Sequence, residues 1–358
     1  MRIEALEAPL VVQRLIEESS NSMYLDCVPL FKSKETLLIG IGRGSSGFAC
    51  DYVLTLASIS FGLMSMRAEL SLINQYRTRW NIPSTVLMVF SQSGKSPDLL
   101  EAVHHLQSCG ATAIALLNNN DSPLAALVDH AFNIEAGLEG SVAATKSVLA
   151  QMCQGLLIVL AVQNASFDSP SFESLTELLS HQVLRTLPDT LRKACSRADS
   201  VYAQAWIESI IGCGFVLLLT RGLAMPAAKE ISLKLQEVCQ IQSHAMSVAQ
   251  WRHGPQAAVL EGNLVIVIKT RSSFEQELEQ AIHDLNERGA KVLVVVIGEF
   301  PLPQSTDYST LVLDAPMHPW LDSIVVLQCF YLLIEHLAKR LRLDPDKPPW
   351  LSKVTLTN

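Results

Sequence analysis

"TVLMVFSQSGKSPDLLEAVHHLQSCGATAIALLNN", residues 85–119, and "LVIVIKTRSSFEQELEQAIHDLNERGAKVLVVVIGE", residues 264–299, are written to one pattern. Each opens with an apolar run rich in Val, Leu and Ile, passes through a polar turn into an amphipathic stretch closed by glycine, and ends in a second apolar run. Ser91 matches Thr270 and Gly110 matches Gly289, both 179 residues further on (270 − 91). The segments ahead of them also agree: "TLLIGIGRG" (36–44) and "FVLLLTRG" (215–222) align Arg43-Gly44 with Arg221-Gly222 at a spacing of 178 (221 − 43). An internal repeat fixes domain number and architecture together.

Short apolar runs alternating with stretches of helical period are the mark of βαβ units around a parallel sheet. In "LLEAVHHLQSCG" (99–110) Leu99, Val103 and Leu106 share one face, and Gly110 supplies the stop. The expected fold is α/β, two tandem doubly wound parallel-sheet domains with a C-terminal tail. The polar stretch "NASFDSPSFES" (164–174) and a bridging helix around "LTELLSHQVLRTL" (175–187) put the border between about residues 165 and 195. We take the domains as 1–185 and 186–358.

Bulk composition agrees with two cores. With 358 residues, 49% hydrophobic and only 17% charged, the chain can bury a large interior and an oligomer interface besides, so a dimer or larger is expected. Net charge is −8, and no run of Lys or Arg is present of the kind that neutralises phosphates, which argues against nucleic acid as a partner. Eight cysteines lie scattered without a C-x-x-C pair, as reduced buried thiols do, and point to a cytoplasmic protein. The start, "MRIEALEAPLVVQRLIEESS", lacks the layout of a secretory signal. The longest apolar run, "GLLIVLAV" (155–162), falls well short of the roughly 20 residues of a bilayer span, so no membrane segment is expected.

Why should the first strand of the 85–119 unit end in Ser91, Gln92, Ser93, Gly94, Lys95 and Ser96? In an open parallel sheet, ligands sit beyond the carboxyl ends of the strands, where helix N-termini present unpaired N–H groups to anions. Small residues admit a phosphate closely, and the hydroxyls of Ser91, Ser93 and Ser96 add donors. The structural alternative is a solvated turn with Ser96 or Asp98 as N-cap. The counterpart "KTRSSF" (269–274) keeps strand and helix without the Ser-x-Ser-Gly run, so the fold itself does not require those residues. Two lookalikes fail or weaken: a P-loop would need glycine at Val89, and Gly42-Arg43-Gly44-Ser45-Ser46-Gly47, which spells the dinucleotide fingerprint, finds only Glu69 as a poor match for the ribose-binding acid.

A second unusual stretch is "AMPAAKEISLKLQEVCQIQSHAMSVAQWRHGPQAAV" (224–259). Glu230, Lys234 and Glu237 stand at i, i+4 and i+7, one face of a helix. On a solvated helix this would be a charge ladder. Here the neighbours Ala227, Ala228, Ile231, Leu233, Leu235 and Val238 are apolar enough to bury it, and His253 follows on a Gly-Pro turn as an acid/base candidate.

Together "SQSGKSPD", "EGSVAATKSVLAQ", "RGLAMPAAKEISLKLQE", "WRHGPQAAV" and "LDPDKPPWLSKVT" resemble the SIS (sugar isomerase) family over nearly the whole chain. The resemblance extends to the isomerase half of glucosamine-6-phosphate synthase and, more closely, to stand-alone SIS-type glucosamine-6-phosphate deaminases. It implies two flavodoxin-like, three-layer SIS domains and a phosphosugar substrate, with no metal or organic cofactor. By position it implies that Ser91, Gln92, Ser93 and Ser96 hold the phosphate, and that Ser45, Ser46 and Val142 line the sugar. Glu237 would move a proton between C2 and C1 beside Lys234, with Glu230 in support. His253 would open the ring, from the adjacent subunit of a homodimer, and Lys353 would reach the carbonyl or imine carbon.

The synthase's glutamine-hydrolysing half has no counterpart here, and no Cys follows Met1, so ammonia would be released or captured free. His244, Gln236 and Pro349 depart from the residues usual in the family and bear on which sugar is read. The activity expected is conversion of an amino-sugar 6-phosphate such as glucosamine 6-phosphate to a ketose 6-phosphate and ammonia. Fructosamine-6-phosphate deglycase and galactosamine-6-phosphate deaminase are alternatives of the same class, and a non-catalytic phosphosugar sensor is one of another.

Overall fold

The computed structural model describes residues 1–19, 24–33, 35–82, 84–166, 181–298 and 308–353. Among these residues the chain divides into two compact units, which are not contiguous halves. The N-terminal unit takes its residues from 10–140 and 146–185 and adds Ser352 and Lys353; the C-terminal unit takes its residues from 186–351 and adds 1–9 and 141–145.

The N-terminal unit holds β1 (Leu37–Gly42), β2 (Ser65–Arg67), β3 (Thr85–Ser91), β4 (Ala111–Leu117) and β5 (His130–Asn133), paired in parallel in the order β2-β1-β3-β4-β5. The C-terminal unit holds β6 (Phe215–Thr220), β7 (Gln242–Ser247), β8 (Leu264–Lys269), β9 (Lys291–Ile297) and β10 (Tyr308–Leu313), also parallel, in the order β10-β9-β8-β6-β7. Counted from its own first strand, each sheet reads 2-1-3-4-5. In that order the direction of winding reverses between the first and third strands, where a crevice opens beyond their carboxyl ends.

Every residue of β3 and of β8 is buried, because helices cover both faces of a parallel sheet and leave no side for polar alternation. The face expected from the sequence packs inward: Leu99, Val103 and Leu106 of the Pro97–Ser108 helix join Ile39, Ile41, Leu87 and Val89 in one core cluster. In the C-terminal unit Leu278, Ile282 and Leu285 of the Glu275–Glu287 helix meet Val265, Val267, Val292 and Val294 in the same way.

Two sequence expectations change. Residues 167–180, with most of the polar stretch and half of the bridging helix, lie outside the described residues. The remainder is not one helix: a short turn of helix, His181–Leu184, ends before a new one, Leu187–Ala198, because Pro188 belongs in a first turn and not in a helix interior. The apolar run at 155–162 also belongs to something longer. Lys146–Ala165 and Pro319–Arg340 are both long and apolar enough to cross a membrane by length and composition, and 89% and 94% of their most apolar windows are buried inside the protein. Core helices have this character too.

Candidate active site

β3 delivers Ser91 to the crevice end of the N-terminal sheet, and the chain turns there before the Pro97–Ser108 helix. The Gly94 N–H donates to Ser91 Oγ at 3.1 Å, and the Lys95 N–H donates to Ser93 Oγ at 3.3 Å. Each serine oxygen thus shapes the turn as an acceptor and keeps its own proton for a ligand. Gly94 has φ +64°, and a Cβ there would fall 2.2 Å from Ser122 Oγ, so both conformation and packing demand glycine. Ser96 holds the N-cap position, but its hydroxyl makes no capping hydrogen bond. Capping therefore does not explain Ser96. Gln92 and Ser93 are half-buried, and the Gln92 carbonyl accepts the Asn118 N–H at 3.1 Å.

The loop after β1 completes this end of the sheet. Ser45 is buried and Ser46 half-buried in the first turn of the Gly44–Phe61 helix. Arg43 donates to Asp98 Oδ2 through Nε at 3.0 Å and Nη2 at 2.8 Å, tying this loop to the helix that follows the serine turn. In the fingerprint lookalike, packing accounts for Gly42 and Gly47, and a left-handed backbone at φ +49° for Gly44. A Cβ on Gly47 would lie 2.9 Å from the Gly42 carbonyl oxygen and 2.2 Å from Arg67 Nη1, so strand and helix approach too closely for any side chain.

Lys353 also belongs to the N-terminal unit, where its amine donates to Glu139 Oε2 at 3.0 Å. Glu139 drew no role from its sequence. Its partner lies 214 residues away, and no local pattern marks such a contact. Val142 falls with the C-terminal unit, and its N–H donates to the Asp346 carbonyl at 3.1 Å.

The Met225–Cys239 helix follows β6 in the C-terminal unit, with Pro226 in its first turn and Gln240 closing it at φ +55°. Glu230, Lys234 and Glu237 share a face as their spacing requires. Lys234 Nζ stands 2.5 Å from Glu237 Oε2 and 3.5 Å from Glu230 Oε1, and the Tyr331 hydroxyl donates to Glu230 Oε1 at 3.1 Å. The Lys234 and Glu230 side chains are 1% and 0% exposed, against 26% for Glu237. A buried ammonium is tolerable only with such partners. The result is a carboxylate that is open to a ligand and backed by a fixed positive charge.

His253 is placed differently. It is exposed at the C-cap of the Val248–Arg252 helix, ahead of Gly254 at φ +135°, and no hydrogen bond or ion pair joins it to Glu230, Lys234 or Glu237. Gln236 is exposed and donates to the Ser243 carbonyl at 3.1 Å; His244 is exposed on β7, the edge strand of its sheet. Among the described residues no group of three His, Cys, Asp or Glu could hold a metal. The eight cysteines are free, and burial pushes the thiols of Cys153 and Cys195 up to about 12 and about 11, which leaves them inert.

This pair of five-stranded parallel sheets, each with a loop-to-helix turn beyond its strand ends, places the chain among proteins of known architecture. The C-terminal domain of glucosamine-fructose-6-phosphate aminotransferase from Francisella tularensis superposes with a TM-score of 0.85 at 23% identity, covering 96% of this chain and 97% of that one. Glucosamine-6-phosphate deaminase from Thermotoga maritima superposes at 0.68 and 19% identity, covering 98% and 100%. At these identities the likeness is one of fold.

Sequence carries it further. Residues 30–161 match the SIS domain, and this stretch of the chain is an SIS domain. It is 31% identical over 295 residues to the isomerizing glutamine–fructose-6-phosphate aminotransferase of Mycolicibacterium smegmatis, a match over 80% of this chain and 45% of that protein. The chain thus spans about half the length of the curated relatives it matches.

Proposed function

We propose that this protein is an SIS-type phosphosugar enzyme that converts an amino-sugar 6-phosphate, such as glucosamine 6-phosphate, to the ketose 6-phosphate and ammonia. The observation that carries the reading is the Glu230–Lys234–Glu237 face, a buried lysine between two carboxylates of which one is open. A phosphosugar sensor has no need of such a group.

The chemistry follows from the residues. After ring opening, Glu237 takes the proton from C2 and returns it at C1, while O1 gains the proton that the C2 amine gives up; the C2 imine so formed is hydrolysed by water to a ketone and ammonia. The Lys234 ammonium supplies charge beside the oxygen on which the negative charge develops. Glu230, held by Tyr331, fixes Lys234. Ser91, Gln92, Ser93 and Ser96 hold the phosphate, with Ser45, Ser46 and Val142 along the sugar. The energy of that grip holds the open chain in place for proton transfer. Lys353 faces the carbonyl or imine carbon. Since His253 stands apart from the charged face, we assign ring opening to His253 of an adjacent subunit in a homodimer.

The shared strand order and the repeat support reading the two units as tandem SIS domains, and the buried thiols fit a cytoplasmic protein. The departures at His244, Gln236 and Pro349 keep a deglycase and a galacto-specific deaminase within the same reading. The test is to incubate the purified protein with a panel of 2-amino and 2-keto hexose 6-phosphates and assay ammonia, with Glu237→Gln as control. Turnover by the wild type alone supports the enzyme. Tight binding without turnover of any member favours the sensor and overturns the proposal.

A further inference from the structure

Glu139 lies between β5 and the Lys146–Ser166 helix, in the unit that carries the serine turn. Its side chain is 0% exposed. Oε1 accepts the Ser147 N–H at 3.2 Å, and Oε2 accepts both the Ser147 hydroxyl at 2.7 Å and the Lys353 amine at 3.0 Å. Ser147 stands in the first turn of a 21-residue helix, whose N-terminal dipole favours a carboxylate. The carboxylate is thus fixed by its own neighbourhood, with Lys353 as a further donor.

Among the described residues, Glu139 is the one hydrogen-bond and ion-pair partner of Lys353. The lysine side chain is 25% exposed, the two residues before it, Leu351 and Ser352, are exposed, and they belong to no helix or strand. A lysine so placed keeps most of its side-chain torsional freedom unless a fixed acceptor removes it. The dependence in this pair is one-sided: Glu139 is anchored without the lysine, and the lysine is anchored by Glu139.

We propose that Glu139 is a positioning residue, which holds the Lys353 ammonium at one point of the phosphate-binding unit so that it meets the substrate carbonyl in a single orientation. This rests on the reading above that Lys353 faces the reacting carbons. Glu139 itself touches no substrate and acts through Lys353.

Two readouts test it, of which one does not depend on activity. In the first, the protein is acetylated with limiting N-hydroxysuccinimidyl acetate, and labelling at Lys353 is compared by mass spectrometry with that at exposed Lys193 and Lys347. Glu139→Gln raises labelling at Lys353 about fivefold, in proportion to the time the amine is released, and leaves the two reference lysines unchanged. Equal labelling in the variant and the wild type overturns the proposal. If Glu139→Gln does not fold, Ser147→Ala loosens the same carboxylate and raises labelling at Lys353 about twofold; no rise overturns the proposal.

The second readout is kinetic. With the amino-sugar phosphate, Glu139→Gln lowers kcat about 10- to 100-fold with KM little changed, the scale of a misplaced catalytic group. In a Lys353→Met background it costs nothing further, because both act through one amine. An unchanged kcat, or losses that multiply, overturns the proposal. If the wild type turns over no amino-sugar phosphate, the functional reading fails by itself, and the labelling experiment still decides whether Glu139 fixes Lys353.

Discussion

At the end of β3 the chain turns through Gln92, Ser93, Gly94, Lys95 and Ser96, whereas at the end of β8 the same step is taken by Arg271, Ser272, Ser273 and Phe274. The second turn is filled from within. Arg271 Nη2 donates to Asp322 Oδ1 at 2.5 Å and to the Pro316 carbonyl at 2.8 Å, and its Nε reaches Asp322 Oδ2 at 3.3 Å. The Phe274 ring lies 5.0 Å from the Arg221 guanidinium. A clamp is common to both units. Arg43 pairs with Asp98 in one and Arg221 with Glu277, at 3.2 Å, in the other.

The helices after the first strands differ in the opposite sense. Tyr52, Leu56 and Ile59 of the N-terminal unit stand 178 residues (230 − 52) before Glu230, Lys234 and Glu237. The pattern of exposure is the same, with the first two positions buried and the third partly open. Only the chemistry changes. The fold therefore needs the arginine clamp and a packed helix, and it needs neither the serines nor the charges. In the function proposed above, the first unit supplies the anion turn and the second the charged helix.

The comparison can be broken in four places. The largest effect belongs to Glu237→Gln, which lowers ammonia release about 10³-fold, the scale of a lost general base, while binding of the phosphosugar by calorimetry is retained. Next, Lys234→Met leaves Glu230 buried without its cation and destabilises the fold by about 3–5 kcal/mol in urea titration. Installing the residues of the other unit, Glu230→Tyr, Lys234→Leu and Glu237→Ile together, restores most of that stability with no turnover, because a well-packed apolar set replaces a buried ion group at little cost.

Third, Ser91→Ala or Ser93→Ala weakens phosphosugar binding by about 2 kcal/mol each, as expected for a hydrogen bond to a charged group, while Thr270→Ala and Ser272→Ala leave it unchanged. The smallest effect is one of slope. His318, buried beside the closed turn, has its pKa lowered to about 4, by burial first and by the charge of Arg271 second. The unfolded chain takes up that proton near the ordinary value of 6.5 and the native state only near 4, so stability falls as pH drops through this window. His318→Gln removes this contribution, and its urea midpoint declines less steeply than the wild type's between pH 6.5 and 4.

Much of this was legible in the chain because it is written locally. The parallel strands and the Leu99–Val103–Leu106 face follow from runs and periods of a few residues, and one helical period brings Glu230, Lys234 and Glu237 together. What the sequence hid depends on distant partners. Glu139 meets Lys353 across 214 positions, and the segments 1–9 and 141–145 pack with the C-terminal unit although they precede the expected border. The Lys146–Ser166 helix was legible only in part, because Gln151 and Gln154 interrupt its apolar run. Both are buried and donate inward, to the Leu116 carbonyl and the Tyr24 hydroxyl, so they belong to the core despite their polarity. Ser96 shows the limit of a local rule: its backbone takes the capping position, and its hydroxyl does not cap.

The division of labour is tested most directly by solvent deuterium uptake at C1 of a ketose 6-phosphate, followed by NMR in D2O as a function of sugar concentration. The Ser91→Ala/Ser93→Ala protein is expected to need far more sugar but to exchange, and Glu237→Gln to exchange at no concentration. Exchange by Glu237→Gln at the wild-type rate would contradict the account.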